Sequence, residues 1–258
     1  MVSSISSIMD KKGVSEVIGY ILTFSAVVTV VTIVYVGGMP LIKRTQENSV
    51  FQSMETAFFT IQSNVEKVAL GQSPARTVKV RVSQGSLSLS NGSWMNISWT
   101  GNPQGRNFTY QSLVFMLGNR GIAYENGAVI EYFPNSSIIV SKPKIVFLNV
   151  SGKKYLYISI INVSGAFSKG GSVAELTIQQ YPDEMNATSV LVATGNVRYV
   201  NISVGGSYSQ AWIYYLEEVN ASFSDMDFSP PSPHKNYVNV SSPSNFTLTL
   251  VVHNVTIG

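Results

Sequence analysis

Few side chains in this sequence are arranged for catalysis. The two histidines, His234 and His253, have no spacing that makes a metal site. The acidic pairs are Asp183-Glu184, Glu217-Glu218 and Asp225-x-Asp227. Paired carboxyls serve glycoside hydrolysis when held roughly 5 to 10 Å apart, or bind Ca²⁺ through oxygen. Adjacency in sequence establishes neither, and most such pairs are solvated loops. The sequence has no G-x-S-x-G elbow, phosphate-binding glycine loop or H-E-x-x-H. The expectation is no enzyme, no catalytic residue, no metal ligand and no cofactor.

A different chemistry is written in the asparagines. N-x-S/T triplets, whose amide nitrogen can accept a glycan, occur at Asn91, Asn96, Asn107, Asn135, Asn149, Asn162, Asn186, Asn201, Asn220, Asn239, Asn245 and Asn254. Twelve of the nineteen asparagines fall in such triplets, where about four are expected from the Ser and Thr content. Asn149, beside an apolar run, is set apart from the other eleven, which are the glycosylation candidates. Trp94, Trp99, Trp212, Tyr208, Tyr214 and Tyr215 suit either a platform that stacks on sugars or the core and cross-strand pairs usual in a β protein.

Residues 17–42 hold no charged side chain. As a helix these 26 residues span roughly 39 Å, against a hydrocarbon core of roughly 30 Å. In water the segment needs a membrane or copies of itself. No triplet precedes Asn91, so the triplet-bearing part belongs outside the membrane and the N-terminus inside. The flanking charges, Lys11 and Lys12 on one side and Lys43 and Arg44 on the other, do not decide the orientation.

The junction Lys11-Lys12-Gly13, followed by Val14-Ser15-Glu16-Val17-Ile18-Gly19 and the apolar run, resembles the class III signal peptides of archaeal type IV pilins. The resemblance is specific over residues 11–21. It implies cleavage between Gly13 and Val14 by a prepilin peptidase, with the helix kept on the mature chain. It also implies self-assembly, alone or with co-pilins, through pilus assembly machinery after a stay in the membrane. Glu16 would be the third mature residue, whereas bacterial type IV pilins carry their acid at the fifth. On this resemblance Glu16, Val17, Ile18, Ile21, Leu22, Phe24 and Val28 would form the filament core. Glu16 would pair with the new amine of Val14, which is costly to bury alone.

Past Lys43, the residues Val50, Met54, Phe58, Ile61, Val65 and Val68 recur at three- and four-residue steps, the mark of a helix with one apolar face. That face packs at least in part on its own domain. In a filament Val50, Met54, Phe58, Ile61 and Val65 would add an outer layer of helix contacts. Gly37, Gly38 and Pro40 predict a kink or melted turn, and Gly71 with Pro74 predict the helix end.

From Arg76 the period changes to two, as in Val78-x-Val80-x-Val82 and Phe246-x-Leu248-x-Leu250. Turn signals stand at Asn91-Gly92, Asn126-Gly127, Ser151-Gly152, Gly170-Gly171 and Gly205-Gly206. The fold class expected is α+β: a long hydrophobic helix, kinked near Pro40, then an antiparallel β-sandwich or barrel-like domain. The divisions are 1–13 leader, 14–42 apolar helix, 43–73 amphipathic continuation and 74–258 extracellular β domain. The proline-rich stretch 229–233 sets off either a last hairpin (residues 237–257) or a second β subdomain.

Composition agrees with a surface protein. Hydrophobic residues make up 45% of the chain and charged residues 12%, about half the usual charged share. A net charge of +3 with scattered basic residues argues against nucleic acid, and the absence of cysteine excludes disulfides and thiolate metal sites. Two functions fit. One is a pilin, a membrane precursor that becomes an extracellular filament with a glycosylated exterior suited to adhesion. The other is a membrane-anchored binding module for carbohydrate, a solute or a surface layer that does not polymerise.

Overall fold

The computed structural model describes the backbone of residues 3–181, 189–224 and 235–258, with side chains in these segments except at 3–14, 223–224 and 243. It divides into two units, Met1–Ser49 and Val50–Gly258. The first unit is helical. Helix α1 (Ser3–Ala69) contains Pro40 in its interior and stays helical through Gly37 and Gly38. Of the kink or melted turn expected there, the melted turn does not form, because the helix continues through it. Proline removes one hydrogen bond, and a helix already propagating on both sides tolerates that loss because nucleation, not extension, is the costly step. The hydroxyls of Thr23, Thr29 and Thr32 donate to the carbonyls of Gly19, Ser25 and Val28 at 2.7–2.9 Å, which leaves them no unsatisfied donor in an apolar setting.

The end of α1 is capped as its glycine implies. Gly71 has φ +74°, and the amides of Gly71 and Gln72 donate to the carbonyls of Val68 and Lys67 at 3.1 and 2.9 Å. This is the paired bonding of a Schellman stop, and it turns the chain into the sheet.

Among the described residues ten strands follow: β1 (Ala75–Trp99), β2 (Asn102–Leu117), β3 (Arg120–Glu125), β4 (Ala128–Phe133), β5 (Ser136–Ser141), β6 (Ile145–Val150), β7 (Lys153–Gly165), β8 (Ser168–Gln180), β9 (Ser189–Gly205) and β10 (Tyr237–Ile257). A second helix, α2 (Ser209–Ser224), stands between the last two. The sheet order is β5-β4-β3-β2-β1-β8-β10-β7-β6. Strand β9 pairs with both β1 and β10, so β1, β8, β10 and β9 form a closed circuit. All pairings are antiparallel except β7 with β10, which run parallel.

Across β2, β3 and β4 the sheet is buried on both faces. Phe51, Met54, Phe58, Ile61, Val65 and Val68 of α1 cover one face with Leu113, Ile122 and Val129. Ala211, Trp212, Tyr215 and Leu216 of α2 cover the other with Val114, Ala123 and Ile130. Neighbours in one strand therefore serve opposite cores, which is why β2, β3 and β4 read as continuous apolar runs instead of alternating.

The fold is α+β as expected, with three corrections. The stretch 237–257 is a single strand paired with β7, β8 and β9, neither a separate hairpin nor a second subdomain. Its turn-like Ser-Pro-Ser-Asn segment is absorbed as a register shift between Ser241 and Phe246. Asn91-Gly92 likewise lies at a register shift inside β1, because one extra residue can be accommodated as a bulge without ending a strand. Helix α2 replaces the strand implied by its aromatic residues.

Candidate functional site

The first candidate is the apolar surface of α1. In the unit Met1–Ser49, Val17, Ile18, Ile21, Leu22, Phe24 and Val28 are all exposed, Phe24 by 70%. Glu16 is exposed beside them. The stretch Ser15–Ala69 contains a segment long and apolar enough to cross a membrane. Lys11, Lys12, Gly13 and Val14 lie within α1.

Further along the same helix the arrangement reverses. Met54, Phe58, Ile61 and Val65 are 0–1% exposed and Val50 packs at the edge of their cluster. These side chains serve their own domain and are not available as an outer layer between subunits. Apolar area is removed from water once, and here the sheet removes it.

The second candidate is the set of glycan triplets. Asn91, Asn107, Asn135, Asn239 and Asn245 are exposed, and Asn96, Asn162, Asn201, Asn220 and Asn254 are half-buried. Asn186 lies outside the described residues. Asn149, set apart on sequence, is exposed on β6; the apolar residues around it belong to an edge strand, not to the core. Asn162 Nδ2 donates to Asn254 Oδ1 at 3.1 Å across β7 and β10, so the amide nitrogen of Asn162 is already engaged.

The third is a buried polar cluster that the sequence did not announce. The Asn126-Gly127 turn joining β3 to β4 has φ values of +46° and +81°, the left-handed pair of a two-residue hairpin. Turns usually face water, yet Glu125 and Asn126 are each 1% exposed. Glu125 Oε2 accepts from Ser93 at 2.5 Å and from Ser112, and Oε1 accepts from Trp212 Nε1 at 2.7 Å. Asn126 Oδ1 accepts the amide of Ile161 at 2.8 Å. From α1, Gln62 Nε2 donates to the Gly127 carbonyl at 2.7 Å, and Gln62 Oε1 accepts from Ser141 at 2.7 Å.

Burial pushes the Glu125 carboxyl above its ordinary value, offset in part by the hydrogen bonds from Ser112, Ser93 and Trp212. The carboxyl is enclosed by protein donors, and the cluster ties both helices to the sheet. Its chemistry is structural: every element that contributes a donor is held at one point.

The remaining sequence candidates do not converge. Glu217 pairs with Lys235, and Glu218 pairs with Lys142 at 2.7 Å, so these two carboxyls answer to different cations. Asp183, Glu184, Asp225, Asp227 and His234 lie outside the described residues. His253 Nδ1 lies 2.6 Å from the Ser189 hydroxyl. Burial lowers the His253 pKa, with the Ala69 carbonyl opposing, so the ring is a neutral hydrogen-bond partner. Among the described residues no three His, Asp or Glu side chains gather as a metal site. The aromatic platform is taken apart, since Trp212, Tyr208 and Tyr215 are in the core while Tyr214 and Trp94 remain exposed.

A family of unknown function, DUF7289, matches residues 12–258. Two uncharacterized proteins of Archaeoglobus fulgidus are similar. One is 26% identical over 186 residues, covering 63% of this chain and 69% of its own. The other is 24% identical over 207 residues, covering 62% and 68%. No solved structure matches.

Proposed function

The chain belongs to DUF7289, a family of unknown function, and for this member we propose the role of a structural subunit in an archaeal type IV pilus-like surface filament. The observation that carries the reading is the contrast along α1. Phe24 is 70% exposed and Phe58 is 0% exposed, on one unbroken helix. The amphipathic half is satisfied by its own sheet, while the apolar half has no partner in its own unit and requires lipid or other copies.

In this reading a peptidase removes residues 1–13 and the helix rests in the membrane. Assembly transfers it from lipid into a bundle of like helices. That exchange is between two apolar environments, so close packing and interhelical hydrogen bonds supply the preference. Glu16 pairs with the new Val14 amine, whose burial alone costs several kcal/mol or more. The outer contacts between subunits fall to the surface of the β domain, because Met54, Phe58, Ile61 and Val65 are enclosed. Exposed triplets such as Asn107 and Asn239 then give the exterior a glycan coat. The match from residue 12 onward supports this reading in that the junction at Gly13 lies inside the family's shared region, and the archaeal relatives agree with the leader type.

Electron microscopy of the native host, with antibody to the β domain, tests it. Labelled filaments are expected, and Glu16→Gln is expected to reduce their number. Dispersed, membrane-held monomers would instead describe a tethered binding module. Normal assembly of Glu16→Gln would remove the proposed role of that residue.

A further inference from the structure

Strands β1, β2 and β9 lie side by side, with Trp94 opposite Thr109 on one flank and Gly205 on the other. Two residues along, Asn96 stands opposite Asn107 and Ser203. Side chains two apart share a face of a strand. One patch of the sheet therefore carries an indole, two triplet asparagines and two hydroxyls. Trp94, Asn96, Asn107, Thr109 and Ser203 line an open cleft of about 520 Å³, within the roughly 300–1,000 Å³ range of small-molecule clefts.

Gly205 is required for the indole's position. A Cβ placed there would lie 2.4 Å from the Trp94 ring, so the missing side chain lets the ring cover β9. Trp94 remains 36% exposed. An indole held flat beside amides and hydroxyls suits a pyranose, whose C–H face packs on an aromatic ring while its hydroxyls bond at the rim.

The two triplets differ in access. Asn96 is half-buried and its Ser98 hydroxyl group is in a buried residue, whereas Asn107 and Thr109 are both exposed. A transferase must reach the amide and the hydroxyl residue together. We propose that Asn107 is N-glycosylated and that the first sugar of its glycan lies on Trp94. The proposal rests on the outward placement of the β domain in the filament reading.

Attachment joins Asn107 Nδ2 to the anomeric carbon of a saccharide carried on a lipid phosphate. The anomeric carbon–oxygen bond breaks, the phosphate leaves with the electron pair, and the amide proton passes to base. The seated sugar then covers an aromatic ring that would otherwise face solvent. Asn107 and the Trp94 ring line the same cleft from opposite flanks of β1, so a sugar linked through Asn107 meets the indole by lying across β1 at Asn96.

Glycopeptide mass spectrometry of protein from the native host, combined with oxidative footprinting of Trp94, tests both parts. Asn107 is expected to carry a glycan, and Asn107→Gln is expected to oxidise several-fold faster at Trp94, while the control Asn239→Gln does not. Glycans at other triplets with Asn107 bare would overturn the proposal and leave the filament reading standing. A glycan on Asn107 with unchanged Trp94 oxidation in Asn107→Gln would overturn the stacking. A bare Asn107 with a free saccharide bound in the cleft would overturn the covalent assignment. No glycan at any triplet would overturn the proposal and remove the coat, while filaments would still be counted separately by microscopy.

Discussion

Trp212 donates its indole hydrogen to Glu125 Oε1 at 2.7 Å, fastening α2 to the end of β3. The same carboxyl accepts from Ser93 and Ser112, so one residue joins β1, β2, β3 and α2. Glu125→Ala would leave three donors in the core without an acceptor. A buried polar group stranded this way costs about 1–3 kcal/mol, and the variant is expected to lose at least that much stability. Denaturant unfolding of the detergent-solubilised protein measures it, with Trp212→Phe expected to show a smaller loss, about 1–3 kcal/mol, from the same bond.

Gln62 links α1 to the same hairpin through the Gly127 carbonyl and the Ser141 hydroxyl. Gln62→Leu keeps the volume of the side chain but strands both partners. A loss of about 2 kcal/mol is expected, whereas Gln52→Leu, on an exposed part of the helix, is expected to stay within about 0.5 kcal/mol. Thermal unfolding of the three proteins side by side makes the comparison.

The two halves of α1 are expected to separate by mutation. Phe58→Ala empties a fully buried site and should cost about 3–5 kcal/mol of domain stability. Phe24→Ala removes an exposed ring and should leave unfolding of the β domain unchanged while lowering filament yield. Filament counts and unfolding midpoints on both variants read the two effects independently.

Stability should respond to pH in opposite senses at two residues. Glu125 is held above the ordinary carboxyl value of 4.5, so its folded form binds the proton more tightly than the unfolded chain. Its contribution is full below 4.5 and is lost as pH rises through the raised value. His253 is lowered below 6.5; its contribution is full above 6.5 and is lost as pH falls through the lowered value. Glu125→Gln is expected to flatten the decline on the rising side, and His253→Gln the decline on the acid side. Urea midpoints across a pH series show each limb.

Much of the architecture was legible because two periods were. The 3.6-residue spacing from Val50 to Val68 and the Gly71-Pro74 stop locate the end of α1, and alternation at Val78, Val80 and Val82 locates the start of β1. Helix α2 was obscured because Trp212, Tyr214 and Tyr215 are strand formers by propensity. The spacing Tyr208, Ala211, Trp212, Tyr215, Leu216 carried the helical signal, and burial of that stripe overrode propensity. The polar cluster was not legible. Glu125 sits in an apolar run before an ordinary hairpin turn, and its three donors, Ser93, Ser112 and Trp212, lie 32, 13 and 87 positions away in the sequence. Only the packed sheet brings them together.

In the proposed filament, trimmed apolar helices associate with one another. Intact-mass and N-terminal peptide analysis of the protein in material sheared from the cell surface tests it most directly. Chains that begin at Val14 are expected in a filament fraction. Chains still carrying Lys11-Lys12-Gly13, recovered only as membrane-held monomers, would contradict it.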